Sequence, residues 1–255
     1  MRRIYVASLL LLLAACATSP TGRNQLKLFS EEKIAEMGVQ SYQQMKQEEP
    51  IDNSTADNRY VKCVADAITN VTGGEWEVTV FKDDQVNAFA LPGGKIGVYS
   101  GLLDVAKSDD QLAAVIGHEV GHVLADHGNE RVSQQAATQG GLQVVSAFLR
   151  GSGGGGNQAV MSALGLGAQV GILLPFSRTQ ESEADTIGLE LMARAGFDPR
   201  ESVALWQNMA AAGGEKPAEF MSTHPSNESR INNLQSHMNK AMQLYQQAPN
   251  KTNCS

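Results

Sequence analysis

Apolar residues recur at helical spacing along most of the chain, with one stretch in which the period drops to two. Ile34, Met37 and Met45 give part of an apolar face to a segment that opens on Ser30-Glu31-Glu32 and stops at residues 50–54. A hydroxyl cap followed by acids suits the N-terminal end of a helix dipole. Val61, Val64, Ile68 and Val71 predict a second helix over about residues 55–71, ended by Gly73-Gly74. Trp76, Val78 and Val80 then alternate with Glu77 and Thr79, which is a strand pattern. After a turn at Asp83-Asp84, residues 86–91 and 95–100 flank Pro92-Gly93-Gly94 and read as a hairpin or bent strand pair.

Helical spacing then returns. Ser108 with Gln111 reads as a capping box ahead of Leu112, Val115, Ile116, Glu119, Val120 and Val123. Ser177 with Gln180 repeats that signal for a helix running to about Ala195, with Gly196 as its stop and Asp198-Pro199 opening the next. A last helix, over about residues 228–247, lines up Ile231, Leu234, Met238, Met242 and Tyr245. Residues 133–175, rich in Gly, Ala and Gln and containing Gly153-Gly154-Gly155-Gly156, read as two helices joined by a flexible loop. They form either a plain insertion or a lid over a site. The fold class expected is α+β, mainly helical, with one small sheet.

The two ends change this picture. Arg2 and Arg3 precede the short apolar run Ile4 to Ala15. A span needs about 20 apolar residues, so the run reads as a signal peptide over residues 1–15. Leu13-Ala14-Ala15-Cys16 resembles a bacterial lipobox, which predicts cleavage before Cys16 and its lipidation; Ala17 in place of an Asp leans towards the outer membrane. Residues 16–29 are polar and turn-rich and are expected to act as a tether, with the domain at 30–247 and a tail at 248–255. Losing residues 1–15 removes two of the 20 basic residues and none of the 27 acidic ones. So acidic a surface argues against nucleic acid as a partner. Cys63 and Cys254 then remain as an even pair, which permits one disulfide between the tail and the helix of Cys63 or leaves two free thiols.

The chemistry lies in His118-Glu119-Val120-Gly121-His122. Positions four apart share a helix face, so both imidazoles reach one metal ion, and Glu119 can lean towards a water. A catalytic zinc site needs a third protein ligand. His127, five residues past His122, would point roughly 140° off the ligand face of a continuing helix, which makes it a helix-end or supporting group. Glu181 and Asp185 share a face of the later helix. Glu181 fills the vacancy, and Asp185 can hydrogen-bond the far nitrogen of a ligand His. Glu183 lies about 200° from Glu181 and reads as a surface or tertiary ion pair.

Further stretches fall in order around these: Val86 to Gly94, Gly101-Leu102-Leu103, Phe176-Ser177-Arg178, and Thr223-His224-Pro225 followed by Arg230. Together, across most of residues 20–245, they resemble the HtpX/Oma/Ste-type family of zinc metallopeptidases, in its periplasmic lipoprotein branch. The resemblance implies a zincin-like fold and one Zn2+ per chain, held by His118, His122 and Glu181, with Glu119 as the base that takes a proton from a zinc-activated water.

Three roles stay open for His224: oxyanion stabiliser, fourth ligand holding the enzyme off, or packed structural histidine. Arg230 can anchor that loop to Glu183 or Asp185. Asn87, Ala88, Phe89 and Ala90 would offer an edge strand to an extended peptide, which favours unfolded or misassembled envelope proteins as substrates. Other partners are the membrane, through the lipid, and outer-membrane assembly machinery. Beside the endopeptidase stand two other readings: a latent or non-catalytic, chaperone-like zinc lipoprotein, and, last, a hydrolase of cell-wall cross-links.

Overall fold

A computed structural model describes residues 16–138, 175–212, 219–224 and 228–254. In chain order the elements are β1 (Cys16–Thr18), β2 (Asn24–Leu26), α1 (Glu31–Glu48), α2 (Thr55–Thr72), β3 (Glu77–Phe81), β4 (Ala88–Leu91), β5 (Lys95–Tyr99), α3 (Ser100–Leu103), α4 (Asp109–Leu124), α5 (His127–Thr138), α6 (Arg178–Arg194), α7 (Glu201–Ala212), α8 (Glu219–Thr223) and α9 (Glu228–Gln247). The architecture is α+β and mainly helical, as the spacing of apolar residues predicts. The expected signal peptide at residues 1–15, and all of the glycine-rich insertion beyond Thr138 up to residue 174, lie outside the described residues.

The three-stranded sheet has the order β3-β5-β4. The chain passes from β3 to the far edge, forms β4, and returns as β5 between the two, parallel to β3 and antiparallel to β4. Both faces are covered. On one, α1 packs Tyr42 and Met45 against Phe81, Phe89, Leu91 and Tyr99. The Tyr42 hydroxyl donates to Thr79 Oγ1 at 2.6 Å, so Thr79, a polar position in the strand pattern, is buried with a partner. On the other face, Val80, Ile96 and Val98 join the main core with Val61, Val64 and Ile68 of α2 and Leu112, Val115 and Ile116 of α4. Val71 continues the α2 spacing but is 36% exposed, because it lies in the last turn, on an open groove with Arg194, Leu244 and Pro249.

α4 and α6 touch backbone to backbone. A Cβ on Gly121 would lie 2.9 Å from the Ala184 carbonyl, and one on Gly188 would lie 2.6 Å from the His118 nitrogen. Only residues without side chains allow this approach, and it brings the two motif-bearing helices together at a fixed separation.

Two features concern the ends. Cys63 and Cys254 form a disulfide with Cα atoms 5.8 Å apart. The tail is tied down further by Thr252, whose hydroxyl donates to the Ala195 carbonyl at 2.6 Å, and by the Cys254 N–H, which donates to Asp109. The tether expected over residues 16–29 is instead ordered structure. β1 and β2 pair antiparallel, Cys16 opposite Leu26. Gln25, 3% exposed, donates to the Ala125 carbonyl at 2.5 Å, Lys27 pairs with Asp126 at 2.6 Å, and the Leu28 N–H donates to Ser133. A polar, turn-rich composition is what a hairpin of buried ion pairs shares with a free tether, which is why local sequence misreads it.

Candidate metal centre

α4 is capped by Ser108, whose hydroxyl accepts from the Gln111 N–H. The box is not completed, because Gln111 Oε1 accepts from Lys107 N–H instead. The box at the head of α6, by contrast, is complete, with Ser177 and Gln180 bonded reciprocally. These starts fix the phase of the two helices, and the glycine contact fixes their separation.

Four ligand atoms meet where the helices touch, from His118, His122, Glu181 and His224. Nε2 of His118 lies 3.1 Å from Nε2 of His122 and 3.2 Å from Nδ1 of His224. Glu181 brings Oε1 to 3.4 Å from His122 Nε2 and 3.1 Å from His224 Nδ1, and Oε2 to 3.6 Å from His118 Nε2. Zinc–nitrogen bonds of about 2.0–2.1 Å in a tetrahedron place neighbouring ligand atoms about 3.3 Å apart, which is the spacing seen.

Proton counting points the same way. Nδ1 of His118 lies 3.0 Å from Asp185 Oδ1, and a carboxylate can only accept, so Nδ1 carries the proton and Nε2 is a lone pair. The guanidinium of Arg230 also lies near that ring, with Nη2 3.2 Å from Nδ1. It is engaged elsewhere, by Asp185 through Nε at 2.7 Å and by Glu181 through Nη1 at 2.6 Å. Nε2 of His118 thus faces Nε2 of His122, Nδ1 of His224 and a Glu181 oxygen across a buried space, with Nη2 of Arg230 3.4 Å away, and a divalent cation would satisfy these ligand atoms at once. The donor set of imidazoles and one carboxylate suits zinc.

Glu119 lies beside the cluster, 3% exposed. Its Oε1 has no hydrogen-bond partner and lies 3.5 Å from Nε2 of His224. The Ala90 backbone of β4 lies beside the same carboxylate and favours its charged form. Burial raises its pKa against the nearby His224 and His118. Burial would also raise Glu181, but hydrogen bonds with His122 and His224 and the charge of Arg230 hold it well below the usual carboxylate range. For Asp185 too burial opposes ionisation, and Arg230 outweighs it. Burial pushes His122 well down, so its ring is neutral and able to ligate. Two carboxylates of one site are thus driven in opposite directions, one to stay ionised and one to take up a proton.

His224 is clamped between aromatic rings. Phe220 stacks on it with centroids 4.4 Å apart, and Phe176 lies 4.9 Å away while stacking on His122 at 3.7 Å. The Phe176 N–H donates to the Thr223 carbonyl. Arg131 lies 3.6 Å over the Phe176 ring, its pKa pushed down to about 10 by burial. Arg230 stacks on Trp206 at 3.7 Å.

The structure thus gathers His118, Glu119, His122, Glu181, Asp185, His224 and Arg230. It pairs Arg230 with Asp185 and Glu181, not Glu183. It puts Ala88, Phe89 and Ala90 on edge strand β4 beside α4, with Asn87 just before it, and the side chains of Asn87, Ala88 and Phe89 buried. Cys16 opens β1, opposite Leu26.

His127 departs from the continuous-helix geometry. α4 ends at Leu124, Asp126 takes a positive φ of 54°, and a new helix starts at His127. This turn swings the ring behind His122, Nδ1 to Nδ1 at 2.8 Å. Arg23, Glu130, Arg131 and Phe220 are absent from the sequence reading. The partners of Arg23, Glu130 and Arg131 are distant in the chain and no local spacing marks them, whereas Phe220 lies four residues before His224, a spacing that could have found it.

A model of the family described as peptidase family M48 matches residues 55–238. Among curated proteins, the chain is 41% identical over 171 residues to the mitochondrial metalloendopeptidase OMA1 of Schizosaccharomyces pombe, covering 66% of this chain and 48% of that protein. It is 29% identical over 213 residues to the metalloprotease LoiP of Escherichia coli, 82% of each chain. It is 32% identical over 164 residues to the β-barrel assembly-enhancing protease of Yersinia pestis, 62% of this chain and 33% of that one. The chain thus spans about half or less of the OMA1 and Yersinia relatives.

Proposed function

The chain belongs to peptidase family M48, and on that premise we propose that it is a zinc-dependent endopeptidase of the bacterial envelope that cuts unfolded or misassembled proteins. The supporting observation is the convergence of His118, His122, Glu181 and His224 ligand atoms beside the buried carboxylate of Glu119. Zinc held there supplies a Lewis acid that polarises a peptide carbonyl and makes a water more acidic.

The protein residues do the rest. Glu119 accepts the proton of the attacking water and returns it to the leaving amine. Its raised proton affinity suits both transfers. Asp185 keeps the His118 proton on Nδ1, which leaves Nε2 free to ligate. β4 is an edge of its sheet and lies against the HExxH helix, so an extended peptide adding as a further strand would lie across the site. With the Asn87, Ala88 and Phe89 side chains turned inward, recognition would run through the main chain and tolerate varied sequences, as a scavenger of unfolded chains requires.

His224 closes the site in this arrangement. Its Nδ1 would take the fourth position on a bound metal ion and its Nε2 faces Glu119, whereas a catalytic zinc site keeps one position open. We therefore assign a latent resting state to the enzyme. The same closure favours the second reading, a zinc lipoprotein that binds clients without cutting them.

For location, we propose export by residues 1–15 and lipid attachment at Cys16, on the periplasmic side of the outer membrane. No helix among the described residues is long and apolar enough to cross a membrane. The name of the Yersinia relative ties that protein to β-barrel assembly, which is the reason to propose outer-membrane assembly machinery as a partner. Casein incubated with the purified chain, with and without a chelator, tests the proposal beside cell walls as the other substrate. Chelator-sensitive cuts in casein alone support it. Cuts in the wall alone contradict it.

A further inference from the structure

We propose that the hairpin at the head of the chain is part of the metal centre, with Arg23 acting as a positioning residue that sets the ring of His122 through Glu183 and His127. The inference rests on His118, His122 and Glu181 holding a metal ion.

His122 turns Nε2 to the ligand cluster, so its neutral ring carries the proton on Nδ1. That nitrogen lies 2.8 Å from Nδ1 of His127. His127 must therefore accept there and carry its own proton on Nε2, which lies 3.1 Å from Glu183 Oε2. Glu183 can only accept. It does so from His127, from Arg23 Nε at 2.9 Å and from the Thr21 hydroxyl at 2.6 Å. Each tautomer is fixed by its neighbour, and the series begins in the hairpin. His127 is fully buried and Glu183 is 5% exposed, so water does not substitute readily for a missing link.

The other end of the same guanidinium holds α6. Nη1 and Nη2 of Arg23 grip Glu130 in a fork at 2.6 and 2.7 Å. Glu130 accepts from Gln180 Nε2 at 2.8 Å. Gln180 closes the box at the head of α6, one residue before the ligand Glu181. One cation thus joins the backing of His122 to the helix start that places Glu181, and it separates two buried carboxylates that would otherwise repel. The task needs donors on two sides of a planar group. Arginine offers five in a rigid fork, and lysine, a single ammonium, cannot serve both acids in the same way.

The test uses the full chain in detergent. Zinc affinity is read by competition with a chromophoric chelator, and ligand geometry by the visible spectrum of the cobalt-loaded protein. Removing a group that orients a ligand histidine lowers metal affinity about 10- to 100-fold, so Arg23→Ala should lose about tenfold and shift the cobalt bands. Arg23→Lys should recover only part. Thr21→Val, which leaves the Glu130 fork intact, should give a smaller loss and keeps the test open if Arg23→Ala folds poorly.

The cycle with His127→Phe is decisive. If the hairpin acts through His127, Thr21→Val, which spares the Glu130 fork, adds little to the loss already caused by His127→Phe, and Arg23→Ala adds less there than it costs alone, whereas a role in general stability gives additive losses. Additive losses, or zinc affinity and cobalt bands unchanged in both Arg23→Ala and Thr21→Val, overturn the proposal. A chain that shows this coupling yet cuts no protein supports the inference while sinking the peptidase reading.

Discussion

Nδ1 of His224 lies 3.2 Å from Nε2 of His118 and 3.1 Å from Oε1 of Glu181, so a metal ion held by His118, His122 and Glu181 would meet His224 where a substrate would need to bind. The other nitrogen of the same ring, Nε2, lies 3.5 Å from Glu119 Oε1. A single side chain therefore blocks both the metal position and the base.

His224→Ala should release this block. Casein cleavage should rise on the order of tenfold or more, as expected when a minor open state becomes the major one, while zinc remains on His118, His122 and Glu181. Metal content and fluorescent-casein rates measured on the same preparation check it. A variant that keeps its zinc and loses activity would instead assign His224 to stabilising the oxyanion.

The contact between α4 and α6 depends on Gly188. A Cβ there would sit 2.6 Å from the His118 nitrogen, with backbone on both sides and no side chain to give way. Gly188→Ala should cost about 1–3 kcal/mol, the usual range for overpacking, and lower Tm by several degrees. Zinc affinity should fall with it, since the helices carry different ligands. An unchanged Tm would mean that the helices separate without cost.

The disulfide closes a loop across a sequence separation of 191 residues. Replacing both Cys63 and Cys254 by Ser should cost about 2–4 kcal/mol through the freed unfolded chain. Neither residue touches the ligand set, so zinc affinity should stay the same. Denaturant unfolding with and without reductant measures the first, and chelator competition the second.

Glu119 gives a pH signature in the metal-free chain. Burial raises its folded pKa above the ordinary value of 4.5, so its charge opposes folding once the pH exceeds the native pKa. Below the unfolded value the carboxyl is neutral in both states and the penalty vanishes. Glu119→Gln should therefore be more stable than the parent at pH 7 after chelation, and the gap should close towards pH 4. A gap that widens on acidification would contradict the direction of the shift. Thermal melts of both chains across this range provide the comparison.

Much of the site could be read from the sequence, because helical spacing is a local property. His118, His122 and the pair Glu181 and Asp185 are each four apart, and a capped helix turns that spacing into a shared face. The hairpin could not be read this way. Arg23 meets Glu130 and Glu183 at separations of 107 and 160 residues, and nothing near Arg23 signals either partner. For His127 the spacing points to a helix-end or supporting group but not to the turn that brings its ring behind His122. The break at Asp126, with its positive φ, falls where Leu124-Ala125 give way to His127-Gly128-Asn129, weak helix formers that nevertheless open α5. Tyr42, fully buried, makes the same point for the fold, since only the covered second face of the sheet gives its hydroxyl a partner.

The central claim is that this ligand set and Glu119 together cut peptide bonds. The most direct measurement is casein cleavage by the zinc-loaded His224→Ala chain beside the same chain carrying Glu119→Gln, with zinc content determined for both. The account predicts equal zinc in the two, with cleavage in the first and its loss in the second by several orders of magnitude. Cleavage that survives Glu119→Gln, or its absence from every zinc-loaded form, would contradict it.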